Sequence, residues 1–190
     1  MIKLKALILF ISFFSLISSN YAQINVGRTT MDYEVVYGNE TLKMNGSGTR
    51  SLFFIELYSA ALYLQEKSSD PISIAYENET MAIKIEITSR LISRETMISK
   101  IEEGFEKATD GNTSTLESRI AKIREYYQRE LSVGDKLDLV YIKDKGVVCY
   151  YNDKELGVIE GQDFKFALYK IWLGEEPASK SLKEGMLNKS

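Results

Sequence analysis

Arg50 closes the stretch MNGSGTR and stands one residue before the apolar run LFFIELYSAALYL, where Glu56 and Tyr58 are the other strongly polar groups. A guanidinium entering an apolar layer costs several kcal/mol unless an anion meets it. That anion is either a ligand or a protein carboxylate, for which Glu56, Asp163 and Glu160 are the candidates. Tyr58 has its own two readings, a ligand donor or a buried phenol tied to a backbone carbonyl. The other reactive side chain, Cys149, lies in GVVCYY with no basic neighbour, which makes it a buried structural thiol.

Composition removes most alternatives. Histidine is absent, and with it Ser-His-Asp and Cys-His nucleophile systems, imidazole bases and nearly all ordinary zinc sites. The carboxylates fall on polar faces and form no evident catalytic pair. No metal or cofactor is therefore expected. A single Cys permits no internal disulfide, so core burial alone must stabilise the domain.

The chain opens MIKLKALILFISFFSLISSNYAQ, with Lys3 and Lys5, an apolar run over residues 6–17, and small and polar residues up to Ala22. This reads as a secretory signal peptide over residues 1–22, too short for a membrane span of roughly 20 apolar residues. No later segment is apolar enough to anchor the chain, so an exported protein, periplasmic or extracellular, is expected. Cleavage removes two of 24 basic residues and none of the 27 acidic ones, leaving 168 residues with 22 cationic against 27 anionic side chains. That length suits one domain, residues 23–190, and the acidic balance argues against nucleic acid and anionic membranes as partners.

The elements that must position Arg50 begin as strands over 33–37, 42–45 and 53–64, separated by polar Gly or Asn turns. The 53–64 run is apolar on both parities and is expected to be covered on both faces. MAIKIEIT alternates cleanly and predicts a strand with one wet face. Helical spacing follows over 94–108 behind a Ser93 N-cap, then over 114–131 behind a Ser114–Glu117 capping box. Three hairpin-linked strands, KLDLVYI, GVVCYY and ELGVIE, precede a helix capped by Asp163 and stopped by Gly174, and a last one after Pro177. Apolar positions such as Met97, Ile101, Phe164 and Trp172 read as core. Strands, paired helices, three strands and helices, in non-alternating blocks, predict an α+β fold on a largely antiparallel sheet.

MNGSGTR with LYSAALYL, Gly134-Asp135, Tyr141, Gly146, Asn152, the GxIxGxDF pattern over Gly157–Phe164, IWLGEEP and Leu182-Lys183 together resemble the chalcone isomerase-like family, in particular its secreted bacterial branch. The resemblance spans residues 35–188. It implies a layered fold, a long antiparallel sheet packed against helices with a ligand cleft between.

The family holds isomerases that close chalcones to flavanones and non-catalytic members that bind fatty acids. In the isomerases the motif arginine, matched by Arg50, holds a substrate oxyanion. The strand threonine that orders a water is replaced here by Tyr58. The helical Tyr and Asn seven residues apart have no counterpart in residues 91–105, and a further threonine falls at Ile171. The fatty-acid-binding members pair the arginine with a tyrosine on a carboxylate, which Arg50 and Tyr58 match. A guanidinium fork and a phenol supply three donors to such a headgroup. The resemblance thus implies a non-catalytic binder of an amphipathic carboxylate. A ring-closing intramolecular lyase, or an envelope interaction protein with a vestigial cleft, are the alternatives. Eight residues of straight strand would part Arg50 and Tyr58 by roughly 26 Å. Sharing one carboxylate thus requires a reversal within residues 51–54, which no Gly or Pro announces.

Overall fold

Alternating apolar positions over the second half of the chain, and two long runs in the first, build a seven-stranded antiparallel sheet in a computed structural model that describes residues 22–189. The order is β1 (Gln23–Val26), β2 (Thr29–Asp32), β3 (Glu34–Tyr37), β4 (Glu40–Leu52), β5 (Ile55–Leu64), α1 (Pro71–Tyr76), β6 (Met81–Ile87), α2 (Arg94–Ala108), α3 (Glu117–Tyr126), β7 (Lys136–Ile142), β8 (Gly146–Tyr151), β9 (Lys154–Ile159), α4 (Gln162–Leu173) and α5 (Lys180–Met186). Strands β3 to β9 pair in sequence order, each antiparallel to its neighbour, while β1 and β2 form a separate hairpin. Residues 1–21 of the expected signal peptide lie outside the described residues, and every element above lies downstream of it.

Strand β5 is buried on both faces over Leu57–Leu64, as its two-parity apolar pattern requires. Helices α2 to α5 close one face around a core that includes Phe105, Phe164, Leu168 and Tyr169. The β1–β2 hairpin covers part of the other over Val26, Met31, Leu42 and Tyr63. Strand β6 is drier than its alternation suggests, because Lys84 pairs with the buried Asp138 at 2.9 Å and Tyr37 donates to the same carboxylate.

Three boundaries differ from the sequence reading. The glycine-rich MNGSGT is no turn but the middle of β4. Asn45 bulges out of the ladder, and its side chain bonds the carbonyls of Ser68 and Met186. Gly46 and Gly48 are bare so that α5 can lie against the strand, and a Cβ at Gly46 would sit 2.2 Å from the Gly185 carbonyl oxygen. The α3 helix starts at Glu117 and stops at Tyr126, since Ser114 bonds Asn112 instead of capping a helix. Asp163 lies inside α4, after the N-cap Gly161, where it binds Arg119. The short α1, capped by Asp70 with Pro71 at its first turn, and the β1–β2 hairpin carry too few residues to show a period.

A buried cation pins α1 to the layer behind it. Lys165, fully buried on α4, donates to the carbonyls of Ile74, Ala75 and Glu77 at the end of α1. Burial pulls its pKa down to about 8.

Candidate functional site

The reversal that the site needs is present. Strand β4 turns at Phe53-Phe54 into β5, with Phe53 at φ 55° doing what glycine usually does. Arg50 and Tyr58 consequently become direct cross-strand partners. The guanidinium carbon lies 6.0 Å from the Tyr58 ring centroid. A β-bulge follows at once: Arg50 faces Tyr58 while Ser51 faces Glu56, leaving Leu57 unpaired. The extra residue turns both Leu57 and Tyr58 toward the helix side.

Both side chains line a cavity of about 540 Å³ between the sheet and the helices. Its floor is Ile85, Leu137 and Leu139; its roof includes Met97 and Ile101 of α2, Ile123 of α3, and Leu168, Ile171 and Trp172 of α4. That volume falls within the roughly 300–1,000 Å³ of small-molecule sites, and the wall chemistry, apolar with a few convergent donors, is theirs as well.

The polar end is unusual in what it lacks. Among the described residues no carboxylate lies within 4.0 Å of the Arg50 guanidinium. The three candidate partners are accounted for: Glu56 accepts from the Arg28 amide and Ser59 hydroxyl, Asp163 binds Arg119, and Glu160 is an exposed residue at the start of α4. Tyr58 is 5% exposed, and its oxygen accepts the Trp172 Nε1–H at 3.1 Å. No described protein group accepts the Tyr58 proton. Burial pushes the phenol above its ordinary pKa, against the opposing pull of Arg50 and Trp172, so it remains a donor at neutral pH. The cavity therefore presents a cation and a phenol donor with no protein acceptor between them.

Trp172 is the residue that the sequence reading placed in the core and the structure places in the site. Helical spacing made it one of an apolar stripe, and nothing local distinguishes it; the signal is the indole N–H, which a buried Trp must satisfy. Met97 and Ile101 likewise line the cavity, whereas Phe105 packs on Phe164 beneath it. Ile171 gives an apolar wall at about the position that the resemblance matches to an isomerase threonine. Tyr127 also reaches the cavity and donates to the Tyr150 carbonyl at 3.3 Å. Cys149 stays fully buried, its thiol pushed up to about 12 by burial. Among the described residues no cluster of three metal-ligating side chains occurs.

A seven-stranded antiparallel sheet with helices on one face and a donor-lined apolar cavity between defines the layered α+β class described above. The chain belongs to the chalcone isomerase-like family, whose model matches residues 23–188. Among solved structures it is similar to the crystal structure of a fatty-acid binding protein of Arabidopsis thaliana. That match has 12% identity and a TM-score of 0.66, and covers 84% of this chain and 92% of the other. At that identity the likeness is one of fold. A search of curated protein sequences gave no match.

Proposed function

We propose that this domain is a non-catalytic binder of an amphipathic carboxylate, a fatty acid being the fitting case. One observation carries the reading: Arg50 and Tyr58 point a charge and a proton donor into an apolar cavity in which the protein supplies no anion for either. A carboxylate at that end would receive the guanidinium fork and the phenol, and its acyl chain would run between Met97, Ile101 and the sheet floor. The similarity to a fatty-acid binding protein supports the same reading. So does the replacement of the isomerase threonines by Tyr58 and Ile171.

Trp172 is the sole tryptophan and stands at the headgroup end, so its emission reports occupancy. Titration with oleate below its micellar range should change that emission saturably, and native mass spectrometry should find the complex. Absence of both signals in pure protein would sink the proposal. An Arg50-dependent closure of hydroxychalcones above the buffer rate would replace it with the intramolecular-lyase reading.

Export is part of the same proposal, with residues 1–22 as the leader and the periplasm or extracellular space as the destination. The mass of the chain recovered outside the cytoplasm tests it, since a retained Met1 would contradict cleavage.

A further inference from the structure

Among the described residues, most of the exposed large apolar side chains gather where the cavity meets solvent. Leu52, Phe53, Phe54 and Ile55 form the tip of the β4–β5 hairpin; Phe53 is 89% and Phe54 100% exposed. Leu91 and Val133 are exposed as well, in the connections that leave β6 and enter β7. These connections are neighbours, because Tyr58 pairs with Ile87, the Thr88 amide bonds the Leu57 carbonyl and the Gly134 amide bonds the Ile87 carbonyl. Six of the nine large exposed apolar side chains among the described residues thus gather at one end of the sheet. Leu52 and Leu91 are at once exposed and part of the cavity wall, so this end is the cavity mouth.

Charge selects what the tip meets. The carboxylates at this end have partners: Glu56 accepts from the Arg28 backbone amide and the Ser59 hydroxyl, Glu95 and Glu130 pair with Arg94, Asp135 accepts from Tyr151 and Asn152, and Glu86 faces Lys136 across the ladder. Besides Lys136, the cations at this end with no described carboxylate within 4.0 Å are Arg28, Arg50, Arg129 and the exposed Arg90. Apolar side chains that project freely beside unmatched cations fit a surface that is greasy within and phosphate-bearing at its boundary. Area points the same way. Two phenylalanines offer about 150–250 Å² each, and with the aliphatics the tip stays short of the roughly 800 Å² per partner of a specific protein interface. It is ample for a wedge reaching about 5–10 Å into a headgroup layer.

We infer that the Leu52–Ile55 tip, with Leu91 and Val133, docks this domain on a phospholipid bilayer with the cavity mouth against the membrane. Phe53 and Phe54 enter the acyl boundary, and Arg90 meets lipid phosphate. Because the net charge is negative, docking is driven by the aromatic side chains and does not require anionic lipid. Given the ligand reading above, on which this last step rests, a fatty acid passes between membrane and cavity without its chain crossing water.

Co-sedimentation of residues 22–190, which carry every described element, with pure phosphatidylcholine vesicles tests the docking. The comparison is the double variant Phe53→Asn with Phe54→Ser; Asn tolerates the left-handed backbone at position 53, and neither phenylalanine lines the cavity or packs in the core. Wild type should partition onto vesicles, and the variant should lose roughly a hundred-fold in partition coefficient, as expected for two phenylalanines withdrawn from an apolar phase. Melting temperature and oleate affinity in vesicle-free buffer should match wild type, while uptake of oleate from loaded vesicles slows. Equal partitioning of the two proteins overturns the inference, as does tip-dependent self-association with no vesicle binding. Tip-dependent vesicle binding by a protein that takes up no oleate upholds the docking and defeats only the ligand reading.

Discussion

Replacing Arg50 with alanine separates a ligand-binding role from a structural one because the two predict opposite patterns. In the empty protein the side chain touches no described carboxylate, and its described interactions are with Tyr58 alone, the 6.0 Å approach to the ring and a polar pull on the phenol. Such a contact contributes about 0.5–1 kcal/mol at a partly exposed site, and removing the charge also relieves some desolvation. The unliganded variant should therefore melt within a few degrees of wild type, since 1 kcal/mol moves a domain of this size by about 2–4 °C. In the complex the change removes a charge-assisted fork to a carboxylate, a loss of about 2–5 kcal/mol. Oleate affinity should fall by roughly thirty-fold to several thousand-fold. The stabilisation that oleate gives wild type by mass action should vanish with it. Trp172 emission supplies the affinity and thermal melts with and without oleate supply the stabilities. A buried protein anion released by the mutation would instead cost about 3–5 kcal/mol, some 6–20 °C in the empty protein. A drop of that size with unchanged oleate binding would refute the site.

Three further outcomes follow from the packing. Tyr58→Phe leaves the Trp172 N–H without its acceptor and the ligand without one donor; urea midpoints should report a loss of about 1–3 kcal/mol and oleate affinity should fall about ten-fold. Lys165→Met should remove a pH dependence: with the folded pKa at about 8 and the unfolded one near 10.5, the unfolded state holds more protons between them. The Lys165 contribution thus makes wild-type stability rise through that window, and urea melts at either side should show a rise relative to the variant. Gly46→Ala places a methyl 2.2 Å from the Gly185 carbonyl oxygen and should cost about 1–3 kcal/mol, read as a lowered melting temperature.

The antiparallel sheet and the hairpin succession of its last three strands were legible because β5 to β9 carry long apolar patterns with Gly or Asn at the β7–β8 and β8–β9 turns. What escaped was tertiary in origin. The β4–β5 reversal rests on Phe53 in a left-handed conformation, which a bulky residue rarely adopts and no composition rule announces. The Gly46 and Gly48 pair looked like a turn because glycine marks turns more often than a helix lying against a strand. Arg50 was readable as an anion seeker from its position alone. Tyr58 came from family resemblance, and its partnership with Arg50 needed the hairpin. Trp172 was hidden because a helical stripe does not say which of its members border a cavity and which are sealed beneath it.

Arg50 and Tyr58 lie eight positions apart in the chain yet face each other across one hairpin, whereas the apolar wall draws on residues as far along as Ser179. The two halves of the cavity therefore answer to different histories. The hairpin has low contact order, so the anchor can assemble early and with little dependence on the rest of the molecule. The wall closes only when the distant helices have docked, and among the described residues of those helices only Trp172 hydrogen-bonds the anchor. On the proposed carboxylate-binding reading, changes to the cavity-facing residues of α2 would retune which hydrocarbon is accepted and leave Arg50 and Tyr58 in place. The polar end of the cavity is thus written in one short stretch of chain, and its apolar end is spread over helices that can vary separately from that stretch.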